Sequence, residues 1–164
     1  MAKIALVRVD NRLIHGQVAT GFLGKIGADK IVVIDDKTAT NEFARDVLAL
    51  AVPSSVSHEV YTSKDAAEVW KDNQFGSGTI MIIAKDIPGI YASFKEGLVF
   101  DNLMIGGTKN APNRVKIEGA ISMDKVEADM LDELSEAGVD VIFQQTAQTR
   151  ITPWADVRKK HSFV

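Results

Sequence analysis

Residues 4–26 read IALVRVDNRLIHGQVATGFLGKI. The first part, Ile4–Val9, is a short run of mostly apolar residues and predicts a strand buried on both faces. From Gly16 to Ile26, the residues Val18, Phe22 and Ile26 recur every four positions, which predicts a helix with one apolar stripe. A polar loop separates the two. A buried strand running into an amphipathic helix is the first half of a β-α-β unit.

The pattern repeats along the chain. Further strand-like runs are Lys30–Ile34, Glu59–Tyr61, Thr79–Ala84, Leu103–Ile105, Ala120–Ser122 and Val139–Phe143. Helical periodicity covers Asn41–Leu50, with Phe43, Val47 and Leu50 on its stripe, and also Lys64–Lys71 and Asp124–Ala137. Ser122 or Asp124 would cap the last of these and Gly138 would stop it. Pro153 would open a final helix, Trp154–Lys160. Alternating strands and helices predict a three-layer α/β/α sandwich around a mainly parallel sheet of six or seven strands. With 164 residues, no repeat and no linker-like stretch, residues 1–164 read as a single domain. The longest loop candidate is Gly106–Lys116, GGTKNAPNRVK.

Composition narrows the function. The net charge is −3, without the basic field that nucleic acid or an anionic membrane requires. There are no cysteines, so disulfides, thiolate catalysis and cysteine-based zinc sites are excluded. No apolar stretch approaches the ~20 residues of a membrane span, and nothing resembles a signal peptide. A cytoplasmic protein is the expectation. In open α/β folds, ligands bind beyond the carboxyl ends of the strands. Three clusters lie there: Asp10–Gln17, Asp35–Lys37 and Gly106–Asn110.

The first cluster is the richest. His15 stands at a predicted helix start, where the N–H groups of Gly16, Gln17 and Val18 would face an anion. Gly16 would let that anion approach the backbone closely. Arg8 and Arg12 could both reach a group held at His15, and guanidinium binds phosphate in a planar, bidentate way. Asp10 could orient an arginine or fix the histidine tautomer. The set suits a phosphoryl group carried on histidine, with no need for a metal. The residues alone leave a second reading open, in which His15 is a solvated or capping residue and the arginines are ion-pair partners. Asp35 and Asp36 read as loop caps rather than Mg²⁺ ligands, because no third ligand lies nearby. Gly106 and Gly107 read equally well as a phosphate-binding backbone nest or as a tight turn.

The stretch RVDNRLIHGQV, Arg8–Val18, closely resembles the active-site loop of the IIB component of the mannose/fructose/sorbose-type sugar phosphotransferase system. Arg8, Asp10, Arg12, His15, Gly16 and Gln17 match its Arg-x-Asp-x-Arg-x-x-His-Gly-Gln pattern. The similarity extends through IVVIDDKTATNEFARDVLALAVP, IGGTKNAPNRVKIEGAISMD and LSEAGVDVIFQ. The resemblance implies a sheet order near 3-2-4-1-5-6. It also implies a phosphocarrier enzyme whose His15 takes a phosphoryl group from phosphohistidine on IIA. That group would pass to a sugar entering through the membrane subunits IIC and IID. No cofactor or metal is implied, and docking at the inner face of the plasma membrane would be transient. The sugar stays open among mannose, fructose, sorbose and amino sugars such as N-acetylgalactosamine, and so does homodimerisation. Thr108 departs from the family, where many members carry Met. Gln144, in place of a basic residue, is closer to the amino-sugar members. Competing classes are a flavodoxin- or Rossmann-like nucleotide-binding module, although G-x-G-x-x-G is absent after the first strand, and a non-catalytic regulatory homologue.

Overall fold

The computed structural model describes the backbone of residues 1–164 and the side chains of all but residues 17–20. The side chains of Gln17 and Val18, expected at the phosphate site and on the first helix stripe, therefore lie outside the described residues. The strands are β1 (Lys3–Asp10), β2 (Lys30–Ile34), β3 (Ser57–Tyr61), β4 (Thr79–Ala84), β5 (Asn102–Gly107), β6 (Val115–Glu118), β7 (Ile121–Met123), β8 (Asp140–Phe143) and β9 (Thr152–Pro153). The helices are α1 (Gly16–Ile26), α2 (Asp36–Ala39), α3 (Glu42–Ala51), α4 (Ser63–Asn73), α5 (Ile87–Lys95), α6 (Lys125–Glu136) and α7 (Trp154–Lys160).

Seven strands form one sheet in the order β3-β2-β4-β1-β5-β8-β9, parallel except for the β8–β9 edge. Alternate strand residues point to opposite faces, so the apolar runs feed two cores. One face sets Val7, Val9, Val32, Ile34, Ile82 and Ile105 against α4, α5, α6 and α7. The other sets Leu6, Ile31, Val33, Ile83 and Met104 against Phe22 and Leu23 of α1 and Leu48 of α3. Three layers result, with β1 central and its carboxyl end between β4 and β5.

The expected order holds once β8 is counted as the sixth strand. The run at Ala120–Ser122 does not join the sheet. It pairs with β6 in a separate antiparallel hairpin beside it. The long loop is accordingly shorter than expected, because Gly106 and Gly107 end β5 and Val115 and Lys116 begin β6. Helix α5 had no counterpart in the periodicity. Its opening, Ile87-Pro88-Gly89, reads as a turn, yet proline is tolerated in a first turn and Asp86 caps the Gly89 N–H at 2.7 Å. Asp35 caps α2 through Thr38, and Asp36 accepts from the Ser63 N–H at 2.8 Å, so both acids act as caps. Asp124 caps α6 in a reciprocal box with Glu127.

The apolar stripe of α3 does not face the core. Phe43, Val47 and Leu50 are 77%, 50% and 86% exposed. The inner side carries buried Leu48, flanked by the half-buried Ala44, Arg45 and Ala49. Leu48→Ala should cost about 2–5 kcal/mol in denaturant unfolding. Leu50→Ala should fall within about 0.5 kcal/mol of the parent. Equal losses at the two positions would show that the stripe is packed.

Candidate functional site

The loop after β1 is fixed from below. Leu13 takes a left-handed φ of 58° and donates its N–H to the Asp10 carbonyl at 2.9 Å. Such a φ is strained for a branched residue, and burial holds it. Leu13 and Ile14 are both buried in the core beneath α1. Two apolar anchors inside a polar loop leave Arg12 and His15 facing outward. The Asn11 N–H ties the loop to the Gly107 carbonyl at 3.2 Å.

Asp10 is the hub. Its side chain is 1% exposed. Oδ1 accepts from the Arg12 backbone N–H at 3.1 Å and from Arg12 Nε at 3.3 Å. Oδ2 accepts from Arg8 Nη2 at 3.3 Å and pairs with His15 Nε2 at 3.1 Å. Burial alone would push the Asp10 carboxyl up. The His15 hydrogen bond, the Arg12 N–H and the Arg8 charge outweigh it and hold the carboxyl below its ordinary range. Asp10 is thus an anion at neutral pH and can only accept, so Nε2 bears the hydrogen of this contact and Nδ1 is the nitrogen turned away from it.

His15 is the N-cap residue of α1, extended at φ −152° and ψ 142°, with no side-chain capping bond. Its side chain is 22% exposed. The first turn of α1 follows directly, beginning at Gly16, and places the positive end of the helix beside the ring. Arg12 is 51% exposed and its charge partner is Asp10. It is the cation that faces solvent next to His15.

Arg8 stands elsewhere than expected. It is buried, donating from Nη1 to the Gln144 carbonyl at 2.8 Å and from Nη2 to the Gln145 carbonyl at 2.6 Å. The guanidinium also lies 4.8 Å from the centre of the Phe22 ring. Both of its terminal nitrogens are engaged beneath the loop, Nη1 also on Met104 Sδ at 3.0 Å, so Arg8 holds Asp10 from below. Gly106 and Gly107 form no nest: both lie in β5, and neither has the left-handed φ that a nest alternates. A Cβ on Gly106 would fall 2.0 Å from the Arg8 guanidinium carbon, so this glycine makes room for that side chain. A Cβ on Gly107 would meet Asp10 Oδ1 at 3.2 Å. Gln144 is buried too, with Nε2 donating to the Thr149 carbonyl at 2.9 Å.

Asp10, Arg12, His15 and the start of α1 are therefore brought together, while Arg8, Gly106 and Gly107 support them from below. Sequence reasoning missed the Gln144 and Gln145 carbonyls that anchor Arg8. No residue-type signal could reveal them, since any residue supplies a carbonyl. Among the described residues, no group of three or more acidic or histidine side chains is placed to hold a metal, and no helix is long and apolar enough to cross a membrane.

Comparison with known proteins gives one family. Residues 4–164 match the model of the "PTS system sorbose subfamily IIB component". The chain is similar to the sorbose-specific EIIB component of Klebsiella pneumoniae, 28% identical over 137 residues and 84% of each chain. It is 25% identical to the fructose-specific EIIB component of Bacillus subtilis, over 88% of this chain and 89% of that one. The crystal structure of manxB from Thermoanaerobacter tengcongensis superposes with a TM-score of 0.91, at 30% identity and 98% coverage of both chains.

The buried pair makes a stability prediction. Asp10→Asn strands the Arg8 charge and should cost about 3–5 kcal/mol in denaturant unfolding. Arg8→Met with Asp10→Asn should cost less than the sum of the single changes. Because folding depresses the Asp10 pKa, its contribution is complete above the unfolded value of about 4 and is lost as pH falls through the folded value. Asp10→Asn should therefore flatten the acid limb of stability against pH. An unchanged limb would refute the assignment.

Proposed function

The chain belongs to the sorbose subfamily of PTS IIB components, and we propose that its His15 is the phosphoryl carrier of a sugar phosphotransferase system. As a member of that family it is a phosphocarrier component of sugar transport. The nucleotide-binding alternative is not favoured: the loop after β1 holds the Arg8–Asp10–His15 set and no glycine-rich phosphate cradle. The contact between Asp10 and His15 Nε2 carries the reading, because it leaves the opposite ring nitrogen as the nucleophile in a loop that also holds an exposed arginine.

In this mechanism Nδ1 attacks the phosphorus of a phosphohistidine on IIA. The N–P bond on the partner breaks as the one on His15 forms. The transition state is loose and anionic, so positioned positive charge does most of the work. Arg12 and the positive end of α1 supply it. Asp10 stabilises the positive charge that the ring gains by holding its Nε2–H. In the second transfer, the N–P bond of His15 breaks and a P–O bond forms to a sugar hydroxyl. The hydroxyl proton passes to a phosphoryl oxygen, and neutral imidazole is restored.

IIA and the membrane subunits IIC and IID must reach the same exposed edge in turn, so both contacts are transient and the protein works on the cytoplasmic side of the membrane. Relatives named for sorbose, fructose and N-acetylgalactosamine support a monosaccharide as final acceptor.

Incubation with phosphoenolpyruvate and the upstream carriers should add one acid-labile phosphoryl group per chain, read by intact mass, and none to His15→Ala. Phosphorus–nitrogen coupling should place the group on Nδ1, and a signal from Nε2 would contradict the role given to Asp10. Arg12→Ala should slow transfer by about 2.7–4 kcal/mol, or 10²- to 10³-fold. An undiminished rate would remove Arg12 from the mechanism.

A further inference from the structure

A hollow of about 290 Å³ opens between the His15 loop and the β6–β7 hairpin. Its near wall is Asn11 and Arg12, and its far wall includes Thr108, Asn110, Lys116 and Ser122. His15 does not line it, but Arg12, which does, shares the Asp10 carboxylate with the His15 ring. Among the described residues, no acidic side chain lines it. Among the described residues, the side chains of Asn11, Asn110 and Lys116 have no hydrogen-bond or ionic partner. Two amides and an ammonium thus face an open space on the Arg12 side of the His15 loop.

The far wall is rigid. The Thr108 hydroxyl donates to the Ser122 carbonyl at 2.5 Å and accepts from the Ser122 N–H at 2.8 Å. Arg114 donates to the same carbonyl at 2.7 Å and to the Ser122 hydroxyl at 3.2 Å. Arg114 is itself held by Glu127 at 2.7 Å, a pair buried on both sides. The hairpin tip is tied in as well. The Ala120 N–H donates to Gln145 Oε1 at 3.1 Å, and the Gln145 carbonyl accepts from Arg8. Gln145 therefore links the hairpin tip to the arginine that holds Asp10. The space lies near the lower end of the roughly 300–1,000 Å³ of small-ligand sites, suited to a single polar ring.

On the reading of His15 as a phosphoryl carrier, we propose that this hollow is a sugar subsite. It would take the acceptor monosaccharide and its phosphate ester, with the phosphoryl group at Arg12 and His15 and ring hydroxyls on Asn11, Asn110 and Lys116. Amides both donate and accept, and the ammonium donates, which matches the mixed demands of hydroxyls. Asn110 and Lys116 are then specificity-determining residues, and sugar choice rests partly on this subunit.

Titration of ¹⁵N-labelled full-length protein with glucose 6-phosphate, its 2-epimer and its 2-acetamido analogue tests this, with glucose and inorganic phosphate as controls. At least one hexose phosphate should shift amides at both 10–16 and 108–122, whereas inorganic phosphate should shift the first set alone. Asn110→Ala and Lys116→Ala, both exposed positions, should each weaken hexose phosphate binding about tenfold and leave phosphate binding unchanged. The subsite is overturned if hexose phosphates act as phosphate does, if both variants bind like the parent, or if the hairpin amides respond to added IIA and to no sugar phosphate. Phosphorylation of His15 by IIA, followed by intact mass in the same samples, separates the two claims. If it is intact while the sugar effects are absent, the subsite alone fails. If it is absent from the parent, the carrier reading fails.

Discussion

A carboxylate taken out of water costs several kcal/mol unless its lone pairs find donors. Asp10 meets that demand with four: the Arg8 guanidinium, the Arg12 backbone, the Arg12 side chain and the His15 ring. The rest of the site follows from this arrangement. The anion decides which ring nitrogen is protonated and where the loop turns, and it keeps Arg12 near the ring. Its own position is set by Arg8, whose remaining donors are taken by two carbonyls beyond β8. Chemistry at the surface thus rests on an ion pair in the interior.

The sheet makes this possible. With β1 between β4 and β5, the end of β1 is enclosed by neighbours on both sides, and a charge there can be buried. The connections after β1 and β5 run to opposite faces, so the ends of these strands open a crevice at the top of the sheet. The β6–β7 hairpin stands over that crevice, outside the main sheet, and gives it a second wall.

Much of this was legible beforehand, for identifiable reasons. Strands such as Lys30–Ile34 and Thr79–Ala84 are apolar on both faces, and that signal survives any context. Helix α1 starts and stops where Gly16 and the Ile26 stripe place it. What failed depended on long-range packing. The α3 stripe had correct helical spacing but the opposite orientation, because Leu48, on the other side of the helix, is the residue that the core takes in. Arg8 and Arg12 are the same residue type, four apart, and sequence assigned them the same task. Only the fold reveals that the strand buries the first and the loop releases the second. The glycines that end β5 looked like a ligand cradle, but Gly106 makes room for an arginine and Gly107 lies against Asp10.

The fit of Arg8 against Gly106 also bears on how such a site can change over generations. Any side chain at 106 collides with the guanidinium, while loss of Arg8 leaves a void against Phe22 and takes from the buried acid its one fully buried cation. Each position makes the other's substitutions harmful, so neither drifts alone, and the two behave as an epistatic pair.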